Sequence, residues 1–151
     1  MKQASLSTPF GDLIVTEEDG AITTLGWGQA ARQQRSELLD TALRQLNEYA
    51  TGQRQQFDLP LRVTGSDFQR AVCAAIAATP FGHTCTYGEI ARDLGVPAQA
   101  VGGACGGNPI PILIPCHRVM GAKGLTGFSG AGGVETKVAL LRHEGAAGLL
   151  I

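Results

Sequence analysis

A thiol, an imidazole and a guanidinium stand side by side at Cys116, His117 and Arg118. They follow the apolar run of residues 110–115, which predicts a buried, rigid stretch that fixes the position of the thiol. A thiol must become a thiolate to attack, and a neighbouring imidazole or guanidinium lowers the pKa of a thiol. We therefore take Cys116 as the candidate nucleophile and His117 as the group that removes its proton.

A carboxylate near the other end of the chain can complete this set. Residues 137–144 read KVALLRHE, a pattern that predicts an apolar-faced helix ending at Glu144. We expect Glu144 to orient His117. Because adjacent residues of an extended chain point to opposite faces, we expect His117 to reach the thiol through a water or a bend.

The cysteines argue against a metal site. Cys73, Cys85, Cys105 and Cys116 show no CxxC spacing, the spacing that lets two thiolates reach one metal ion. We therefore expect no metal, and we expect reduced thiols, with Cys73 and Cys105 behaving as small apolar residues.

The elements that must position these groups begin with a β-rich segment. Residues 4–7, 13–16 and 21–27 are short β-rich runs separated by Pro-Gly and Asp-Gly turn signals, which predicts a small antiparallel meander. Ser36 then caps an amphipathic helix that Gly52 stops. Residues 57–63 predict a further strand, and we place a domain boundary near residue 62.

The second part of the chain predicts short helices. Ser66 with Gln69, and Thr86 with Glu89, are spaced as capping boxes at two helix starts. A third helix restarts at Pro97, and the last two helices have the form of a helix-turn-helix. Four glycines in residues 97–107 oppose that third helix, so a loop is the alternative there.

Charge and composition narrow the partners. Residues 1–60 carry five basic and eight acidic side chains, and residues 61–151 carry seven and five, so any nucleic-acid surface belongs to the second part. With 44% apolar and 17% charged residues the chain is not disordered. It shows neither a membrane span nor the apolar segment of a signal peptide, so we expect a cytoplasmic protein with no membrane partner.

Short motifs run in order through residues 66–147: Phe68-Gln69, Pro80-Phe81-Gly82, Thr86-Tyr87, Ala100-Val101-Gly102, Asn108-Pro109, Ile-Pro-Cys-His-Arg-Val at residues 114–119, and Glu144-Gly145. Together they resemble the O6-alkylguanine-DNA alkyltransferases, the methylated-DNA–protein-cysteine methyltransferases. The resemblance implies an α/β (α+β) fold, with a small RNase H-like antiparallel sheet and helix in residues 1–62. Residues 63–151 then form a mostly helical DNA-binding domain with a helix-turn-helix and the active-site cysteine.

The resemblance also implies a reaction. Cys116 irreversibly accepts the alkyl group of O6-alkylguanine, with O4-alkylthymine as a second substrate, in double-stranded DNA, once per molecule. His117 acts as a water-mediated base and Glu144 orients it. Asn108 braces the active-site turn, and Tyr87 contacts a phosphate and donates toward the guanine. No cofactor is implied, and one thiol per lesion makes a monomer sufficient.

Further residues are implied by the same resemblance. The expected DNA contacts are Thr86, Tyr87, Gln99, Ala100, Val101, Gly102 and Arg118. The expected substrate pocket consists of Val119, Gly127, Phe128, Ser129 and Gly130, with the backbone carbonyls of Cys116 and Val119 accepting from the exocyclic amine.

Three positions depart from the family pattern. Gln99 stands where the family usually has the arginine that fills the space of the flipped base, Cys73 where tryptophan is common, and Gly106 where some relatives have arginine. We expect the first and third changes to weaken DNA binding.

Two other functions compete with repair. Alkyltransferase-like proteins bind alkylated bases without repairing them, but they replace the cysteine that this chain keeps. A thiol hydrolase would need an oxyanion hole and repeated turnover, and the sequence indicates neither.

Overall fold

The chain folds as two compact units, Met1–Val63 and Thr64–Ile151, in a computed structural model that describes residues 1–121 and 133–146. In the first unit, strands β1 (Lys2–Thr8), β2 (Gly11–Glu18) and β3 (Ala21–Trp27) form an antiparallel sheet in chain order. Helix α1 (Glu37–Ala50) packs against β1 and β2. The predicted meander and helix are confirmed.

Local signals explain these elements. Asp19 and Gly20 both have positive φ angles, 50° and 79°, as the tight turn between β2 and β3 requires. The Ser36 hydroxyl accepts a hydrogen bond from the backbone N–H of Leu39 and so caps α1. Beyond the helix, Gly52 takes the left-handed φ of 83° that ends it.

The strand predicted over residues 57–63 is wrong. Only Leu61 pairs with the sheet, in a single parallel bridge to Ile22. The Ile22 N–H donates to the Pro60 carbonyl and the Arg62 N–H to the Ile22 carbonyl. Pro60 has no N–H of its own, so the segment cannot extend a full ladder along β3.

The second unit is mainly helical. Its helices are α2 (Asp67–Ala77), α3 (Tyr87–Leu94), α4 (Ala98–Gly106) and α5 (Val134–His143). Strands β4 (Cys85–Thr86) and β5 (Val119–Met120) pair in parallel. The pair links the segment before α3 to the segment after Cys116.

Helices α3 and α4 form the predicted helix-turn-helix. Gly95 ends α3 in the left-handed conformation, with φ of 69°, and Pro97 occupies the position before α4. The glycine-rich segment is therefore a helix and not a loop. Gly103 and Gly106 are exposed, and a Cβ atom at either position would meet no atom within 4 Å, so no packing contact within the described residues requires a glycine there.

One predicted capping box is complete and the other is half formed. Thr86 and Glu89 bond reciprocally at the start of α3. Ser66 accepts from the Gln69 N–H, but the Gln69 side-chain amide donates to the Ala104 carbonyl at 2.8 Å instead of returning to Ser66. Gln69 therefore ties α2 to α4.

Within residues 1–121 and 133–146, no helix has the length and apolar character needed to cross a lipid bilayer. The same residues contain no group of three or more His, Cys, Asp or Glu side chains placed to hold a metal ion.

Candidate active site

A braced turn leads into the candidate nucleophile. The Asn108 side chain accepts from the Ile110 N–H at 3.0 Å and donates to the Ile114 carbonyl at 2.9 Å. Between these two bonds, Ile112 has a positive φ of 72°, which is unfavourable for a β-branched residue. Asn108 thus holds a strained turn closed, immediately before Pro115 and Cys116.

Cys116 begins a single 3-10 turn, Cys116–Arg118, and is 5% exposed. The backbone at Cys116 and His117 is therefore not extended, and the turn supplies the bend that was predicted from the sequence as one of two alternatives. Burial raises the pKa of the Cys116 thiol, while a hydrogen bond from Asn108 and the charge of Lys137 oppose that rise. The thiol is shielded from solvent but lies among groups that favour its charged form.

His117 is fully buried and pairs with Glu144, which follows α5. The distance from His117 Nε2 to Glu144 Oε2 is 2.7 Å. A carboxylate can only accept, so Nε2 carries the proton and Nδ1 keeps the lone pair. Nδ1 is buried without a hydrogen-bond partner among the described residues. Burial lowers the pKa of His117, against the opposing effect of Glu144, so the imidazole is neutral and can accept a proton at Nδ1.

Arg118 is a correction to the sequence prediction. It is 6% exposed, and its guanidinium donates to both Glu144 oxygens, at 2.8 and 3.0 Å, and to the Thr79 carbonyl at 2.7 Å. Its guanidinium carbon also lies 5.8 Å from the centre of the Phe81 ring. A side chain that is buried and bonded in this way is not a phosphate contact on the surface, so the prediction that Arg118 binds DNA is wrong.

Sequence reasoning missed Lys137. This residue of α5 is 1% exposed, and its Nζ donates to the Val119 carbonyl at 2.7 Å. The periodicity held a signal for it, because Lys137 precedes Leu140, Leu141 and Glu144 by three, four and seven residues, and all four are buried on one face.

The residues expected to contact DNA lie at different depths. Gln99 is exposed, and Ala100, Gly102, Thr86 and Tyr87 are half-buried. Their positions, at the start of α3 and in the first turns of α4, are those by which a helix-turn-helix approaches DNA.

Val101 is fully buried in the second unit. It packs inside the unit as part of α4, so its side chain is not exposed to contact DNA. Among the expected pocket residues, Val119 is fully buried. The other expected pocket residues, Gly127, Phe128, Ser129 and Gly130, lie outside the described residues.

A helix-turn-helix joined to a buried Cys116 beside a His117–Glu144 pair defines a DNA-binding protein with an internal nucleophile. Comparison with known proteins identifies the family. Residues 1–63 match the family model described as "6-O-methylguanine DNA methyltransferase, ribonuclease-like domain", and residues 67–146 match "6-O-methylguanine DNA methyltransferase, DNA binding domain". The chain belongs to the 6-O-methylguanine DNA methyltransferase family.

Individual relatives agree with that assignment. The chain is 39% identical to a methylated-DNA–protein-cysteine methyltransferase of Mycolicibacterium paratuberculosis, over 93% of this chain and 90% of the relative. It is 38% identical to the constitutive enzyme of that name from Bacillus subtilis, over 91% of each. The structure of Mycobacterium tuberculosis OGT in complex with DNA superposes with a TM-score of 0.86 at 37% identity, covering 99% of this chain and 98% of that one.

Proposed function

We propose that this protein repairs DNA by direct reversal, transferring the alkyl group of O6-alkylguanine to its own Cys116 once per molecule. The observation that carries the proposal is the buried thiol on a 3-10 turn beside the His117–Glu144 pair. The names of the relatives support the activity, and the structure of a relative with DNA supports the partner. The alternative, a lesion-binding protein without repair, is disfavoured because the nucleophile and its base are both present.

The first step moves the thiol proton. His117 Nδ1 has the lone pair that accepts it, through a bridging water, and Nε2 stays bonded to Glu144. Arg118 fixes both oxygens of Glu144, so the carboxylate has one orientation toward the imidazole. The positive charge that forms on His117 is then stabilised by a carboxylate that is already in place.

The second step is displacement at the alkyl carbon. The Cys116 sulfur forms a bond to that carbon, the bond from carbon to guanine O6 breaks, and its electron pair stays on the purine. Tyr87 donates its proton to the purine as this charge develops, and the thiol proton held on His117 restores the phenol through solvent. The products are S-alkylcysteine and guanine. A thioether is a stable product with no thiol left, so each chain reacts once.

The base must leave the helix for this to happen. Cys116 is too deeply buried to reach a stacked base, and extrusion of the nucleotide into the protein solves that problem. Helix α4 is the element that would occupy the groove, with Gln99 exposed at its start and Gly102 one turn further on. The carbonyls of Cys116 and Val119 would accept from the exocyclic amine of the extruded guanine.

The two units divide the work at about residue 63. All residues proposed for DNA contact and chemistry lie in the second unit, which matches the DNA-binding family model, and the first unit supplies no reacting group. The protein acts as a monomer, because one thiol per lesion suffices. We place it in the cytoplasm, where a free thiol persists, and all four cysteines are free.

Intact-protein mass spectrometry tests this proposal. The chain is mixed with a duplex that contains one O6-methylguanine, and peptide mapping then locates the added mass. We expect one methyl group per chain, on Cys116, saturating at one. The Cys116→Ser variant should gain none, and the control Cys85→Ser should react like the wild type. Lesion binding without any methyl transfer would favour the recognition protein instead.

A further inference from the structure

A lysine is fully buried next to the acceptor site without a carboxylate partner. Lys137 is 1% exposed, and its Nζ donates to the Val119 carbonyl at 2.7 Å. Among residues 1–121 and 133–146, no acidic side chain lies within ion-pair distance of it. An ammonium in this position carries a cost of desolvation that one carbonyl offsets only in part. Such a group is expected to have a further partner at some stage of the reaction.

The nearby carboxylate is already committed elsewhere. Glu144 bonds to Arg118 through both oxygens and to His117 through one. This cluster is neutral when His117 is neutral. Lys137 therefore represents an excess positive charge in the interior, and the charge that can balance it must come from another residue.

Two thiols lie close enough to Lys137 for their charge to act on it. Burial lowers the pKa of Lys137, and the negative charge of a thiolate at Cys116 or at Cys105 would oppose that shift and stabilise the ammonium. Burial raises the pKa of Cys105 to about 12, so Cys105 stays protonated at neutral pH. Cys116, next to the base His117, is the thiol that can supply the negative charge.

We propose that Lys137 is a positioning residue of the acceptor site, whose ammonium is the counter-charge of the Cys116 thiolate and whose Nζ–H fixes the Val119 carbonyl. The role of the carbonyl in holding guanine rests on the proposed function above, whereas the role of the charge does not. One side chain on α5 would then control both the reactivity of the thiol and the shape of the place where the base binds.

The test measures thiol reactivity without DNA. Iodoacetamide is applied between pH 5 and pH 10, and peptide mapping gives the rate at Cys116 alone. Lys137→Met removes both the charge and the donor, Lys137→Gln keeps a donor without charge, and Lys137→Arg keeps the charge. Glu135→Gln, an exposed position on the same helix, is the control.

The groups that titrate or carry charge around Cys116 and Lys137 in the described residues are Cys73, Cys105, His117, Arg118 and Glu144, and all of them are unchanged in these variants. For Lys137→Met and Lys137→Gln we expect the midpoint of the pH profile to rise by about one unit or more. At a pH below the midpoints of both wild type and variant, Cys116 of the variant should then react with iodoacetamide roughly tenfold more slowly. Lys137→Arg should stay within a few tenths of a unit of the wild type. An unchanged midpoint in both neutral variants would overturn the role of the charge.

A second measurement tests the carbonyl. At one neutral pH, loss of thiolate slows both reactions alike, so Lys137→Met should lose at least roughly tenfold more of its methyl-transfer rate from the O6-methylguanine duplex than of its iodoacetamide rate. Equal losses in the two rates would overturn the positioning of Val119. A wild-type chain that accepts no methyl group from the duplex would refute the proposed repair function, and the iodoacetamide profiles would still decide the role of the charge.

Circular dichroism and thermal unfolding establish that each variant is folded. If Lys137→Met does not fold, the comparison of Lys137→Gln with Lys137→Arg decides the question, because these two differ in charge and both keep a donor.

Discussion

Replacing Arg118 by methionine tests the buried ion pair directly. The substitution keeps an unbranched side chain in the space but removes three hydrogen bonds: two to Glu144, at 2.8 and 3.0 Å, and one to the Thr79 carbonyl, at 2.7 Å. Glu144 is 5% exposed, so its negative charge would remain inside the protein without the guanidinium that now bonds both of its oxygens. The carboxylate cannot turn outward to find water without leaving the imidazole.

The size of the effect follows from that burial. Removing one member of a buried ion pair costs about 3–5 kcal/mol, because an uncompensated charge is left behind. We expect Arg118→Met to lose about that much free energy of unfolding. Arg118→Met combined with Glu144→Gln should recover most of the loss, since neither charge is then left alone. The control Arg44→Met, at an exposed position of α1, should change stability by less than about 0.5 kcal/mol.

Urea unfolding measures these differences in free energy of unfolding. The salt dependence of DNA binding tests whether the guanidinium lies inside the protein or contacts a phosphate. Arg118→Met should leave the dependence of log binding constant on log salt unchanged, because the guanidinium that it removes lies inside the protein. A phosphate contact would reduce the magnitude of that slope by about one. A reduced slope, or a cost below about 1 kcal/mol for Arg118→Met, would refute the reasoning.

Four further outcomes are expected. Gly106→Ala should raise the free energy of unfolding by up to about 1 kcal/mol, because the position is helical, exposed and open. Gly95→Ala should lower it, because the φ of 69° at Gly95 is unfavourable for alanine. Thermal unfolding compares the two variants. Gln99→Arg should tighten binding to an alkylated duplex in fluorescence anisotropy, through an added charge and a flat stacking group, and unchanged affinity would count against it. Asn108→Ala should cost about 2–6 kcal/mol in urea unfolding, since two buried backbone groups each lose a partner at about 1–3 kcal/mol, and a cost near zero would mean that the turn closes without it. Burial lowers the pKa of His117 below 6.5, so the unfolded chain binds the proton at a higher pH than the folded chain does. Stability should therefore fall as pH decreases below about 6.5, and His117→Gln should flatten that part of the profile of stability against pH.

The elements that were predicted correctly depend on local chemistry. Ser36 and the Thr86–Glu89 pair begin helices because their side chains satisfy N–H groups only a few residues away. Such short-range bonds leave a direct trace in the sequence. The turn at Asp19 and Gly20 is of the same kind.

The errors in the second unit concern partners that are distant in sequence. The bond from Gln69 to the Ala104 carbonyl spans 35 residues, and the bonds from Arg118 to Glu144 span 26. A short motif identifies Arg118 as a charged neighbour of Cys116, but only the folded chain decides whether that charge meets a carboxylate inside or a phosphate outside. Lys137 is the same case, and its helical spacing from Leu140, Leu141 and Glu144 was the local sign of its burial.

Burial of the acceptor thiol has two opposite consequences for a protein that uses the thiol once. It raises the pKa of Cys116 and so lowers the amount of thiolate at neutral pH. It also keeps out dissolved oxidants and electrophiles, which attack exposed thiolates most readily. A thiol consumed by either before it meets its substrate is wasted, so protection matters more here than in an enzyme that turns over. The neighbours of Cys116 must therefore restore reactivity without restoring exposure, and a buried imidazole with a fixed carboxylate, together with a buried ammonium, meets both requirements.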